Sequence, residues 1–146
     1  MLIYALLNLQ WSEKIILMGP TGIPTELPHN QKVCLIGGGT GNAVLLAIAE
    51  GLRKNNCEIL YFAAYRNSSS VFYRDKIEAV AHQVIWSFDT ITTPFKARPN
   101  DLVITGNVLQ AIQAYAKQKS ATYLSSIDRL IVIVNDQIAI GLSASF

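Results

Sequence analysis

A run of glycines between two apolar segments constrains the fold of this chain more than any other feature. Residues 33–36 read Val-Cys-Leu-Ile, residues 37–41 read Gly-Gly-Gly-Thr-Gly, and an apolar helical pattern follows from Asn42. Glycine lacks a Cβ atom, so its backbone can adopt positive φ, and the amides that open the next helix point toward a ligand. The pattern predicts a strand, a phosphate-binding turn and a helix, with a nucleotide pyrophosphate as the natural ligand.

The turn departs from two familiar phosphate-binding motifs. A dinucleotide fingerprint G-x-G-x-x-G that starts at Gly37 requires glycine where Asn42 stands. The triphosphate loop requires a Gly-Lys-Ser/Thr ending that this turn lacks. A tight turn of an α/β domain with nothing bound therefore stays open as an alternative.

Composition excludes several classes of protein. The 146 residues are 51% hydrophobic and 15% charged, which predicts a folded single-domain chain. The net charge of +2 is spread without a basic run, so we expect no nucleic-acid partner. No apolar segment reaches the roughly 18 to 20 residues of a membrane span. Cys34 and Cys57 are too far apart for a C-x-x-C metal site, and we expect no metal and a reducing, cytoplasmic location.

Apolar strands alternate with helical patterns along the chain. Strands are predicted over 33–36, 58–64, 83–88, 102–104 and 129–134. Helices are predicted over 42–54, from N-caps at Ser68–Ser70 through 81, and over 107–119, with a Pro-containing loop over 89–100. This order predicts an α/β fold, a Rossmann-like, doubly wound parallel sheet of about five strands with helices on both faces.

Ligands of such sheets bind beyond the carboxyl ends of the strands, where the strand order reverses. Tyr65 can stack there on adenine and Arg66 can pair with a phosphate, or this segment is an exposed loop with a solvated arginine. NAD-selective folds commonly have an acid in that region, where this chain has Tyr65 and Arg66, so the choice between NAD and NADP stays open. The predicted cofactor-binding residues are Gly37, Gly38, Gly39, Thr40, Gly41, Asn42, Tyr65, Arg66, Thr105, Gly106, Asn107, Asn135 and Asp136.

No group of side chains indicates acid–base or nucleophilic catalysis. His29 and His82 are isolated and are interpreted as surface residues. Asp89 follows the third strand as a phosphoacceptor would, but glycines replace the acids that a receiver domain has after its first strand. We therefore predict no catalytic side chain and disfavour a receiver domain.

Three segments together resemble the nucleotide-binding domain of the ferredoxin-NADP reductase superfamily. They are Gly-Gly-Gly-Thr-Gly-Asn-Ala at 37–43, Leu-Tyr-Phe-Ala-Ala-Tyr-Arg at 60–66 and Thr-Gly-Asn-Val at 105–108. Within it, the chain is most similar to the electron-transfer subunit of dihydroorotate dehydrogenase and to the gamma subunits of cytoplasmic hydrogenases. The resemblance implies hydride transfer between NAD or NADP and a flavin, for which the protein supplies position and electrostatics.

The resemblance also implies a division of the chain. Residues 1–28 resemble the tail of the flavin-binding barrel and its linker, and residues 29–146 resemble the NAD(P)-binding domain. FAD would then be held only by a missing flavin-binding domain or a partner electron-transfer subunit, and the isolated chain would be inactive. Asn135 and Asp136 stand where many relatives have Cys-Gly-Pro near the nicotinamide.

Two other functions stay open. The first is a non-enzymatic docking or regulatory module that keeps the fold and uses the apolar segment 1–11, which also predicts a homo-oligomer. The second is a flavodoxin-like mononucleotide carrier, which is less favoured because Thr40 is the sole hydroxyl residue of the turn.

Overall fold

The computed structural model describes residues 26–118 and 124–134. Within them, all strand pairs are parallel and form one sheet in the order β4-β3-β2-β1-β5. The chain therefore moves outward from β1 to β4 and then returns to the other side of β1. The predicted five-stranded parallel sheet is confirmed. Its strands are β1 (Lys32–Gly38), β2 (Glu58–Asn67), β3 (Gln83–Thr90), β4 (Leu102–Thr105) and β5 (Arg129–Ile133).

Helices cover both faces of the sheet, as predicted. Helices α1 (Gly41–Lys54) and α2 (Arg74–Val80) pack on one face, and α3 (Val108–Lys117) packs on the other. Alternate residues of a strand point to opposite faces, so Tyr61 joins the α1 side of the core and Phe62 joins the α3 side. No helix in the described ranges is long and apolar enough to cross a membrane.

The loop between β3 and β4 replaces a crossover helix. Phe95 packs against Trp86 on the α1 side of the sheet, with 5.1 Å between the ring centroids. The buried Asp101 carboxylate accepts hydrogen bonds from the Val84 amide at 2.9 Å and from Arg98 Nε and Nη2 at 2.7 and 2.9 Å. Arg98 also donates to backbone carbonyls at the end of α2. These contacts fasten the loop to the sheet without a helix.

The predicted N-caps of the second helix are wrong. Ser68–Ser70 forms a short 3-10 turn, and α2 begins only at Arg74, after Tyr73 in a left-handed conformation with φ of 55°. The Ser68 hydroxyl accepts from the amide of Thr93 in the loop and donates to its carbonyl, and the Ser70 hydroxyl donates to the Asn67 carbonyl. Serine favours such local turns as readily as helix caps.

His82 joins α1 to β2 at the amino edge of the sheet. Its Nδ1 accepts a hydrogen bond from the Ile59 amide at 2.9 Å, and its Nε2 lies 3.0 Å from Arg53 Nη1. Partial burial and then the Arg53 charge lower the pKa of His82, and Glu58 opposes this shift.

Candidate functional site

An open cleft of about 820 Å³ lies at the carboxyl edge of the sheet, between the glycine turn and the ends of β2 to β5. This is where a reversal of strand order predicts a ligand site. The cleft brings together predicted site residues from three strand ends and adds others. Its lining residues are Gly38, Gly39, Thr40, Gly41, Val44, Ala64, Tyr65, Arg66, Asp89, Asn107, Val108, Ile133 and Val134.

Gly39 forms the apex of the turn. Its φ is +53°, a conformation that glycine adopts without steric cost, and no atom lies within 4 Å of where a Cβ would be. Its amide donates to the Ala64 carbonyl at 2.9 Å, which joins the turn to β2. The backbone at this point is therefore fixed yet open to a ligand.

The first turn of α1 keeps two amides available. The backbone amide of Asn42 donates to the Gly39 carbonyl at 3.2 Å, and the backbone amide of Ala43 donates to the Thr40 carbonyl at 3.1 Å. Among the described residues, the amides of Thr40 and Gly41 have no hydrogen-bond partner. Unpaired amides at the start of a helix form a favourable environment for an anion.

Gly41 packs the turn against β5. A Cβ there would lie 2.2 Å from the carbonyl oxygen of Ile133, which belongs to the β5 backbone. Glycine is therefore required at this position by close packing between the turn and β5.

Two predicted site residues lie under the turn instead of in the cleft. Asn42 is fully buried, and its side-chain amide donates to the carbonyls of Gly39 and Ala64. Gly37 is also buried, and a Cβ on it would lie 2.0 Å from Asn42 Oδ1. The Asn42 side chain points into the interior and supports the turn there, and it fills the space beside Gly37. Neither residue therefore lines the cleft.

The structure separates the roles predicted for Tyr65 and Arg66. Tyr65 is 4% exposed. Its ring stacks on Trp86 and meets Phe72 edge-on, and its hydroxyl donates to the Phe72 carbonyl at 3.3 Å. The ring packs mainly in the core, but Tyr65 also lines the cleft, so its stacking on adenine stays a prediction. Arg66 is exposed on the cleft and forms no salt bridge within residues 26–118 and 124–134.

Asp89 is a cleft residue that the sequence analysis missed. It follows the buried part of β3 and is exposed on the same cleft as Arg66. The rule that ligands bind at the ends of parallel strands also points to Asp89, because it lies near the end of β3. The two side chains provide opposite charges at neighbouring strand ends.

The segment after β4 contributes one cleft residue and a rigid support. Asn107 lines the cleft and caps α3, because its side chain accepts from the Gln110 amide at 3.0 Å while Gln110 Oε1 accepts from the Asn107 amide at 2.9 Å. Thr105 and Gly106 lie beside the cleft without lining it. The Gly106 amide donates to the Phe88 carbonyl at 2.7 Å, which ties this turn to β3.

The two cysteines lie in the interior of the described fold. Cys34 and Cys57 are free and buried, and burial raises the pKa of the Cys34 thiol to about 12. The described part of the chain holds no cluster of three or more His, Cys, Asp or Glu residues suited to a metal ion. The predicted residues Asn135 and Asp136, like segment 1–11, lie outside the described residues.

Comparisons with known proteins bear on the fold. No protein-family model matches the sequence. Over 58 residues, 40% of this chain, the sequence is 42% identical to an uncharacterized protein of Rickettsia prowazekii (strain Madrid E), and the match spans only 8% of that protein.

Two solved structures have a similar fold. One is NADH-dependent reduced ferredoxin-NADP oxidoreductase, a protein of flavin-based electron bifurcation, with a TM-score of 0.55, 22% identity, and coverage of 70% of this chain and 33% of that chain. The other is the C-terminal domain of a hydrogenase from Pyrococcus furiosus, with a TM-score of 0.50, 17% identity, and coverage of 81% of this chain and 84% of that domain. The chain has the fold predicted from its resemblance to the ferredoxin-NADP reductase superfamily.

Proposed function

We propose that this chain is the pyridine-nucleotide-binding domain of a flavin-dependent electron-transfer oxidoreductase and that it positions NAD(P)H for hydride transfer to a flavin on another domain or subunit. The observation that carries the proposal is the glycine turn, whose left-handed apex at Gly39 opens into the cleft at the carboxyl edge of the sheet. In folds of this class, that is where the pyrophosphate of a dinucleotide binds.

The pyrophosphate would be held by the backbone. The unpaired amides of Thr40 and Gly41 would donate to its oxygens, and the open space at Gly39 would let it approach closely. No lysine or arginine is needed at the turn itself, because the helix start supplies a partial positive charge.

The adenosine half would extend toward the ends of β2 and β3. The exposed Arg66 guanidinium would favour a phosphate there, whereas the Asp89 carboxylate would accept hydrogen bonds from ribose hydroxyls and repel a 2′-phosphate. The balance between these two charges would decide between NAD and NADP. Titration with both nucleotides therefore measures that balance directly.

The nicotinamide half would lie toward α1 and β5. The cleft is apolar there, with Val44 on the first turn of α1 and Ile133 and Val134 at the end of β5. Bound NAD(P)H would supply the hydride, so this chain needs to orient the ring and exclude water but needs no side-chain acid or base. We propose that Asn135 and Asp136 also lie near this end.

The flavin would come from a partner. We propose that residues 1–28 belong to the edge of a flavin-binding barrel and that the remainder of that barrel is on another domain or an electron-transfer subunit. The similarity to a hydrogenase domain and to a segment that is one third of a ferredoxin-NADP oxidoreductase chain supports this arrangement.

A charge-matched pair of variants tests the pyrophosphate position. Gly39→Asn and Gly39→Asp have nearly the same shape, and both residues tolerate the left-handed conformation, so they differ mainly in charge. Two like charges 4 Å apart repel by about 1 kcal/mol in water and by about 4 kcal/mol at an effective dielectric constant of 20. The turn is exposed, so we expect Gly39→Asp to bind at least about fivefold more weakly than Gly39→Asn.

Calorimetric titration of the 146-residue chain with NADH and, in parallel, NADPH gives the comparison. The difference between the two variants should shrink as salt is added, because the repulsion is screened. Equal binding by the two variants would contradict a pyrophosphate at the turn. If the parent chain binds neither nucleotide, the proposed function is wrong for this chain, and the docking-module alternative gains support.

A further inference from the structure

Asn42 is the most deeply buried polar side chain beside the cleft. It is 0% exposed, and its Nδ2 atom donates to the Gly39 carbonyl at 3.1 Å and to the Ala64 carbonyl at 3.2 Å. Its Oδ1 atom is also buried and has no hydrogen-bond partner among the described residues. An amide with one unsatisfied buried oxygen contributes little net stability, so stability alone does not account for asparagine here.

The two carbonyls that Asn42 binds belong to the two halves of the cleft. Gly39 is the apex of the phosphate turn, and Ala64 precedes the segment of β2 that carries Arg66. The Ala64 carbonyl also accepts the Gly39 amide at 2.9 Å, and the Tyr61 hydroxyl donates to the Asn42 carbonyl at 3.3 Å. Asn42 therefore joins α1, the turn and β2 at one point.

Peptide geometry connects this bond to the ligand side of the turn. In a trans peptide, the carbonyl of one residue and the amide of the next point in opposite directions. The Gly39 carbonyl points inward to the Asn42 side chain, so the Thr40 amide in the same peptide points away from the interior, and Thr40 lines the cleft. Holding the Gly39 carbonyl thus holds the Thr40 amide in its donating direction.

Gly37 leaves room for this side chain. A Cβ at that position would lie 2.0 Å from Oδ1 and 2.8 Å from Cγ of Asn42. The first glycine of the run is therefore required by Asn42, whereas Gly39 is required by the turn conformation.

We propose that Asn42 is a positioning residue for nucleotide binding, which aims the Thr40 amide into the cleft and fixes the phosphate turn to the strand end that carries Arg66. This inference rests on the proposed function. Asn42 contacts no ligand itself, so its effect on affinity is transmitted through the Gly39–Thr40 peptide.

Asn42→Leu and a matched control test the proposal by titration with NADH and NADPH. Leucine fills a similar volume, removes the unpaired oxygen and loses both side-chain hydrogen bonds, while its backbone amide still donates to the Gly39 carbonyl. We expect a folded protein that binds about tenfold more weakly, because the backbone bond alone holds the Gly39–Thr40 peptide less firmly. Asn55→Leu is the control, because Asn55 also donates to two carbonyls, those of Leu27 and Pro28, but at the far end of α1. It should change stability without changing affinity.

Asn42→Asp adds a pH readout that a merely structural role would not give. The protonated acid can still donate one hydrogen bond, whereas the ionised acid donates none and faces two carbonyl oxygens. Affinity in this variant should therefore fall as pH rises, relative to the parent at each pH. A flat ratio would overturn the proposal, and this profile decides the matter if Asn42→Leu does not fold.

The amide resonance of Thr40 separates this proposal from the proposed function. In the nucleotide-free protein, Asn42→Leu should shift the Thr40 signal, and Asn55→Leu should not. If the parent binds neither nucleotide, the proposed function fails, and the Thr40 signal alone tests the control of the turn. Unchanged affinity in Asn42→Leu, or an unchanged Thr40 signal, overturns the positioning role.

Discussion

Gly41→Ala and Gly51→Ala are the same chemical change on one helix, and the structure predicts opposite effects on stability. A Cβ at Gly41 would lie 2.2 Å from the backbone carbonyl oxygen of Ile133. A Cβ at Gly51 would lie 2.4 Å from Cδ1 of Leu27, the tip of a flexible and partly buried side chain. Backbone atoms of β5 cannot move without disturbing the sheet, whereas Leu27 can change rotamer.

The magnitudes follow from helix propensity and overpacking. Alanine is more favourable than glycine in a helix interior by about 0.8–1 kcal/mol, and Gly51 lies well inside α1. We therefore expect Gly51→Ala to change the free energy of unfolding by about 0 to 1 kcal/mol in the stabilising direction. Gly41 is the first residue of α1 and gains less, while overpacking against Ile133 costs about 1–3 kcal/mol. The two variants should differ by about 1–4 kcal/mol.

Urea unfolding followed by far-ultraviolet circular dichroism measures this difference. The parent and both variants are fitted with a common m-value, so that a shift of the midpoint reports stability. A Gly41→Ala variant as stable as Gly51→Ala would refute the close packing of the glycine turn on β5. The turn would then be freer than the structure indicates.

Two further predictions concern the ion pair between Arg98 and Asp101 and the effect of pH on stability. Asp101→Asn should lower the free energy of unfolding by about 1–3 kcal/mol, because it removes the buried charge partner of Arg98. Glu78→Gln, at the more exposed pair with Arg74, should lower it by less than about 1 kcal/mol. Equal losses of stability in urea would contradict a structural role for the Arg98–Asp101 pair. The pKa of His82 lies below 6.5 in the folded protein, so the unfolded chain takes up the proton first and stability should fall as pH drops through about 6.5. In His82→Gln, the urea midpoint should change less with pH between about pH 8 and pH 5 than it does in the parent. An unchanged pH dependence would exclude His82 as its cause.

Much of the fold could be predicted from local pattern. The alternation of apolar strands and helical segments is a property of neighbouring residues, and it correctly predicted the parallel sheet, the helices on both faces and the loop before β4. Asn107 was predicted as the start of the third helix, and it forms a capping box with Gln110, three residues away. The N-cap prediction for Ser68–Ser70 is wrong because Thr92 and Thr93, more than 20 residues further along the chain, bind the hydroxyls of Ser68 and Ser69.

The candidate site could be predicted in position but not in the role of each residue. Strand ends of a parallel sheet meet at one edge, so the glycine turn, Arg66 and Asn107 converge on a single cleft. The same rule could not show that the Tyr65 ring turns into the core, since that depends on Trp86 and Phe72 filling the space beside it.

The sequence by itself determined the class of fold and the edge of the sheet where the candidate cleft lies, because both follow from periodicity and from the conformational freedom of glycine. Tertiary structure alone decided which glycine serves which purpose: Gly37 makes room for Asn42, Gly39 forms the left-handed apex, and Gly41 admits the Ile133 carbonyl. These roles depend on contacts between segments as far as 92 residues apart, such as that of Gly41 with Ile133. Local sequence does not show which distant segments come into contact until the order of the strands is known. The separate roles of the three glycines are therefore visible only in the folded chain.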